Sequence, residues 1–243
     1  METYGMGTMR NLPDAHPVYK LLRPHFRFTM AINSIARKSL IHDGGILDIS
    51  FGIGGAGRVE LMKRAYKSYS VHSTNIKRSI QKRGMEKISG YYYRDDGFKI
   101  WDALEEFSTK IINRFYSSDQ DVADDPELQK WAVDIHHNGF PGYCGKEDGV
   151  DFPSQFKNRA DLIEHCTLIM FTGSAQHASV NFGQYDVYRY VPNAPLCLRK
   201  PPPIKKHISQ PKDILDTLPD KFSAPLAIAL TLILSQYGED EVC

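Results

Sequence analysis

Nothing restricts this chain more than residues 159–181, where the apolar run Leu168-Ile169-Met170-Phe171 feeds into a stretch crowded with Ser174, Gln176, His177, Ser179 and Asn181. The pattern predicts one long central helix, the most apolar helical segment of the sequence. His177 and Asn181 lie four residues apart, and at that spacing both project from one helix face. An imidazole nitrogen and a carboxamide oxygen could then meet a single ion. Imidazole suits iron, copper, nickel or zinc, whereas a carboxamide oxygen is a weak neutral donor that a tight structural zinc site would not use. The pair therefore points to a catalytic metal. The competing reading is a His and an Asn hydrogen-bonded in a packed core; against it, burying so many polar side chains is costly without partners.

The remaining sequence is also helical in pattern. Residues 17–41 are expected as two helices separated by Pro24, since an internal proline removes a backbone donor and clashes with the preceding turn. In the second, Ile32, Ala36 and Leu40 fall at four-residue steps and form one apolar stripe with Arg37 beside it. Residues 44–57 are glycine-rich and contain Gly52-x-Gly-Gly-x-Gly57. A dinucleotide fingerprint needs a buried strand before it and a surrounding βαβ pattern, and neither is present. The segment is expected to be a connector into a helix over 59–69. Residues 98–117 form an amphipathic helix, and Asp124-Asp125-Pro126-Glu127 marks the start of another over 125–137. His136 and His137 point about 100° apart on a helix, so they are poorly placed to share a metal. Residues 139–153 are expected as a surface loop. Pro192, Pro195, Pro201, Pro202, Pro203 and Pro211 impose an extended surface segment, and residues 223–237 a last apolar helix. With strand signals poor throughout, the expectation is an all-α fold, a single domain or part of one.

Composition adds exclusions. A formal net charge of +1 over 243 residues gives no overall electrostatic case for nucleic acid or an anionic membrane. Cys144, Cys166, Cys197 and Cys243 lack Cys-x-x-Cys spacing, which suggests reduced thiols, and the N-terminus has no secretory pattern. No apolar run reaches the roughly 18 residues of a membrane span. A cytoplasmic protein without a transmembrane segment is expected. A helical hydrolase using His177 with Ser174 or Ser179 lacks a nucleophile elbow.

The wording from Ser174 to Asp186, followed by Val191-Pro-Asn-Ala-Pro195 and the triple proline 201–203, closely resembles the C-terminal half of animal lipoxygenases. The resemblance includes His16-Pro-Val-Tyr-Lys-Leu-Leu22, Arg27-Phe-Thr-Met-Ala-Ile-Asn33, Tyr93-Arg-Asp-Asp-Gly97, Asp125-Pro-Glu-Leu-Gln129 and Asp216-Thr-Leu-Pro-Asp220, in family order. It implies a helical catalytic domain built around one long central helix, with non-haem iron as cofactor. It also implies a polyunsaturated fatty acid and O2 as substrates, joined to give a hydroperoxide at a cis,cis-1,4-pentadiene. His177 and Asn181 resemble metal ligands of the family. Ile32, Ala36, Arg37 and Leu40 resemble residues along the substrate channel, and Ser50 and Phe51 those that set how deeply the fatty acid enters. Alanine at the position of Ala36 goes with S products in the family, glycine with R. Measured against that pattern, the chain corresponds to an internal part of the catalytic domain. Two upstream histidines, a terminal isoleucine carboxylate and the N-terminal lipid-binding β-sandwich have no counterpart in it, and peripheral membrane contact is expected only through that β-sandwich. The alternative expectation is an inactive truncated chain that binds lipid or a partner.

Overall fold

The computed structural model describes residues 1–139, 151–201, 203–207 and 209–235. Among them there is no strand; the chain is α-helical with short 3-10 and π segments. It divides into two compact units, Met1–Asn33 with Lys63–His177, and Ser34–Met62 with Ala178–Cys243.

The first unit is built on the helices Tyr92–Phe115 and Arg159–Phe171. Trp101 meets Phe171 edge to face with centroids 5.5 Å apart, and Thr167 donates to Ser108 at 3.2 Å in the same buried seam. Gly97 lets the neighbouring helix Ile76–Lys82 come close, since a Cβ there would lie 2.4 Å from the buried Ile76 Cδ1. The second focus is Trp131 on Pro126–Asp134: its ring stacks on Phe156 at 5.7 Å, and its indole N–H donates to Thr8 at 3.1 Å. Asp125 caps that helix by accepting from the backbone N–H groups of Glu127 and Leu128, both at 3.0 Å, with Pro126 at the first helical position. His136 Nδ1–H donates to Phe152 O at 2.7 Å, and the His137 ring stands nearly perpendicular to the His136 ring. Of the expected loop 139–153, residues 140–150 lie outside the described residues.

In the second unit the glycine-rich connector is shorter than expected. Helix Ile46–Ser50 interrupts it, and Gly54–Lys67 is already helical at Gly54. The Asp48 carboxylate organises the turn by accepting from Gly44 N–H at 2.8 Å and from Gly55 N–H, bonds that hold its pKa below the usual carboxylate range. A helix rather than a strand precedes the glycines, so the dinucleotide alternative has no structural basis. The proline-rich stretch is not wholly extended. Pro211 occupies the first position of helix Pro211–Thr217, where a missing N–H is harmless. Arg199 then clamps that helix's C-terminal end, donating to Leu215 O at 2.8 Å and Leu218 O at 2.6 Å. The last apolar helix is Ala224–Leu234.

Candidate metal centre

The central helix follows the sequence expectation in extent but not in winding. Arg159–Phe171 is α-helical and buries every residue from His165 to Phe171; Thr172–Gln176 is a π turn; His177–Asn181 returns to α-helix. Asn158 starts the helix by accepting from Asp161 N–H at 2.8 Å. In the π turn, Ser174 Oγ donates to Met170 O at 2.6 Å.

Burial ends where the winding changes. Ser174 and Gln176 are half-buried, His177 and Ser179 are exposed, and Asn181 is half-buried. The expectation of a crowd of buried polar side chains is therefore overturned: the apolar run is interior, but the polar residues after it sit on an open turn. His177 opens that turn and Asn181 closes it. The Asn181 side-chain oxygen faces Gln184 Nε2 at 3.5 Å, and its backbone carbonyl accepts from Ser235 Oγ at 3.3 Å. An exposed imidazole and a carboxamide oxygen are two neutral donors of the kind that suits an N,O-bound divalent metal.

The channel candidates fare unevenly. Helix Thr29–Ala36 carries Ile32, exposed, and Ala36, half-buried; Arg37–Ile41 is π-helical, with Arg37 exposed and Leu40 half-buried. Since π bonding runs i→i+5, Leu40 leaves the α-helical step from Ala36, and the expected three-residue stripe breaks after Ala36. Ser50 is buried with its hydroxyl unpartnered, while Phe51 lines a cavity of about 580 Å³. The opposite wall of that cavity includes Leu196, Cys197 and Leu198, and Gly52 N–H donates to Leu196 O at 3.1 Å. Sequence reasoning missed these wall residues, because a stretch read as a surface crossing carries no periodicity that would point inward.

A second cluster could be mistaken for a metal site. Ligand atoms of His16, Asp125 and Glu127 lie within 4.8 Å of one another. However, His16 Nδ1 accepts from Val18 N–H at 3.1 Å, which leaves the proton on Nε2, where it is donated to Asp125 at 3.1 Å. The Tyr116 hydroxyl donates to the same carboxylate oxygen at 2.6 Å. Burial works to raise the Asp125 pKa, but the bonds from His16, Leu128 N–H and Tyr116 outweigh it and hold the carboxyl well below its ordinary range. Burial and the bond to Asp125 push the Tyr116 phenol upward. With His16, Tyr116 and Asp125 bonded to one another and to backbone N–H groups, these residues are a clip joining three helix ends.

The Lipoxygenase family model matches residues 1–243, and the chain belongs to that family. Among its relatives are the allene oxide synthase-lipoxygenase protein of Plexaura homomalla, 45% identical over 99% of this chain and 23% of that protein, and the polyunsaturated fatty acid lipoxygenase ALOX8 of Mus musculus, 38% identical over 98% and 35%. The structure superposes on a lipoxygenase solved anaerobically in complex with arachidonate with a TM-score of 0.93, at 44% identity over 99% of this chain and 36% of that one. It also matches a calcium-dependent 11R-lipoxygenase with a TM-score of 0.92, at 36% identity over 98% and 35%. The chain thus spans about a quarter to a third of the length of these proteins.

Proposed function

We propose that this chain supplies the His177–Asn181 part of a non-haem iron centre in a fatty acid dioxygenase that adds O2 to a cis,cis-1,4-pentadiene. The observation that carries this reading is the abrupt change along one helix, from a buried apolar rod to an open turn presenting an imidazole and a carboxamide. When bound, iron supplies the one-electron chemistry that takes hydrogen from the doubly allylic carbon. The chain's own contribution is to hold His177 Nε2 or Nδ1 and Asn181 Oδ1 as ligands, and to shape the lipid's path. Ala36 guards one face of the pentadiene, and Ser50 and Phe51 limit the depth of entry. Polyunsaturated fatty acid and O2 are the substrates and a hydroperoxide the product. Cytoplasmic residence belongs to the same reading, and Cys166 and Cys197 are free thiols, as a reducing compartment requires.

The test is His177→Ala in a form extended to the length of the relatives. Iron measured by elemental analysis should fall to background, and conjugated-diene formation from arachidonate should stop, while helicity stays unchanged because the side chain is exposed. Retained iron would sink the assignment. A second reading, a non-catalytic lipid-binding chain, is favoured by the donor set itself, since two neutral donors hold iron poorly. On that reading the 243-residue chain alone gives no diene absorbance.

A further inference from the structure

The overall charge of +1 conceals a local imbalance. Residues 198–212 contain Arg199, Lys200, Lys205, Lys206 and Lys212 and no acidic residue. The structure sorts these cations into two groups. Arg199 is spent on the carbonyls of Leu215 and Leu218, and Lys200 and Lys212 both pair with Asp216, at 3.2 and 2.8 Å. Lys205 and Lys206 are exposed and make no hydrogen bond or ion pair among the described residues. Immediately before them stands Ile204, 96% exposed, and immediately after them His207 turns the chain with φ of 63°. Pro203, next to Ile204, walls a cleft of about 400 Å³ shared with Leu198, Pro201, Ile214 and Leu218.

We infer that the Ile204-Lys205-Lys206 tip is a docking point for an anionic lipid bilayer. An isoleucine held almost wholly in water is unfavourable, and insertion among acyl chains relieves that while the adjacent ammonium groups stay at headgroup level. The charge pattern favours this occupant over nucleic acid: the tip has no Phe, Tyr or Trp ring for base stacking, and the nearby guanidinium of Arg199 is already committed. The inference does not depend on the metal reading, because neither His177 nor Asn181 takes part.

Co-sedimentation of the full 243-residue chain with phosphatidylcholine vesicles, and with equal mixtures of phosphatidylcholine and phosphatidylserine, tests it. Binding should appear with the anionic vesicles only and weaken with salt. Each lysine near an anionic surface strengthens partitioning about fivefold, so Lys205→Glu with Lys206→Glu should reduce it by at least about twenty-fivefold. Ile204→Ser should reduce it about tenfold through lost apolar burial. The control pair Lys63→Glu with Lys67→Glu, exposed positions carrying the same change in charge, should leave it nearly unaltered. Circular dichroism of each variant verifies the helical content. Four outcomes would overturn the inference: no sedimentation, equal sedimentation with neutral vesicles, equal loss in the control pair, or tip-dependent retention on polyaspartate without vesicle binding, which would give the tip to an acidic polypeptide.

Discussion

Trp131 and Phe222 are both large aromatic residues, one with no exposed surface and the other 77% exposed, and they represent the two units they belong to. The unit Met1–Asn33 with Lys63–His177 closes around Trp101, Trp131, Phe152, Phe156 and Phe171, each at most 1% exposed. In the unit Ser34–Met62 with Ala178–Cys243, the buried side chains among the described residues are Ser50, Ala227, Leu230 and Thr231. Stability by burial is therefore concentrated in the first unit. Most residues assigned to lipid and metal lie in the second, including Ala36, Arg37, Leu40, Ser50, Phe51 and Asn181. Regions that must admit a ligand are drawn from the less densely packed part of a protein, and this division follows that rule.

The sharpest way to break the comparison is a matched pair of truncations. Trp131→Ala removes a stacked ring and strands the Thr8 hydroxyl, and should cost about 3–5 kcal/mol in urea unfolding. Phe222→Ala should stay within about 0.5 kcal/mol. Comparable losses would show that the second unit is packed in solution as tightly as the first.

Next in size is the helix-end clip. Asp125→Ala leaves the capped N–H groups of Glu127 and Leu128, the His16 imidazole and the Tyr116 hydroxyl without their acceptor, and should cost roughly 2–4 kcal/mol. The folded pKa of Asp125 is depressed, so its contribution is present above the unfolded carboxylate value near ~3.9 and is lost as pH falls through the lower folded value. Acid unfolding followed by circular dichroism should be shallower at its acid end in Asp125→Asn than in the parent.

A smaller, milder-pH effect comes from His165. Its Nδ1–H donates to Asp161 O at 2.8 Å, while Nε2 is buried without a partner between Phe152 and Phe156. Burial lowers its pKa, with His72 acting in the same direction and Glu164 and Asp161 opposing. The unfolded chain then binds more protons between the two pKa values, so stability should start to fall as pH drops through about 6.5, by at most about 1.4 kcal/mol per pH unit. His165→Leu should remove that slope; an unchanged slope would place its origin elsewhere.

A small free-energy change on the sparsely packed side is tied to a change in product. Ala36→Gly, within helix Thr29–Ala36, should cost only about 0.5–1 kcal/mol, yet in a form extended to the length of the relatives it should shift the hydroperoxide from S toward R. Chiral-phase chromatography decides it, and a predominantly R product from the parent would show that Ala36 does not control oxygen access.

Elements whose signals are local were legible in the sequence. Asp125-Pro126-Glu127 announced a helix start and the structure uses it as one, and the apolar positions from Phe98 to Phe115 lie within Tyr92–Phe115, which ends two residues before the expected bound of 117. The early start at Gly54 was not legible, because it depends on Asp48 reaching seven residues forward to Gly55, an interaction that propensity does not encode. Nor were the capping box at Ser118 and the π turns at Arg37–Ile41 and Thr172–Gln176 anticipated. At the candidate centre, the i, i+4 relation of His177 and Asn181 was read correctly, but their exposure was not. Hydrophobicity upstream was extended to residues where the helix has already left the core.

The π turn at Thr172–Gln176 has an evolutionary consequence. A π turn is an α-helix that has accommodated one extra residue, so the insertion is absorbed locally rather than passed on as the rotation of about 100° that one residue adds to a plain α-helix. Deleting a single codon between Thr172 and Gln176 would therefore restore α-helical winding and keep His177 near its present bearing, with the sealed segment Arg159–Phe171 still in register with Trp101 and Ser108. The turn is a place where the chain can gain or lose one residue without renegotiating either the interior upstream or the direction of the imidazole downstream.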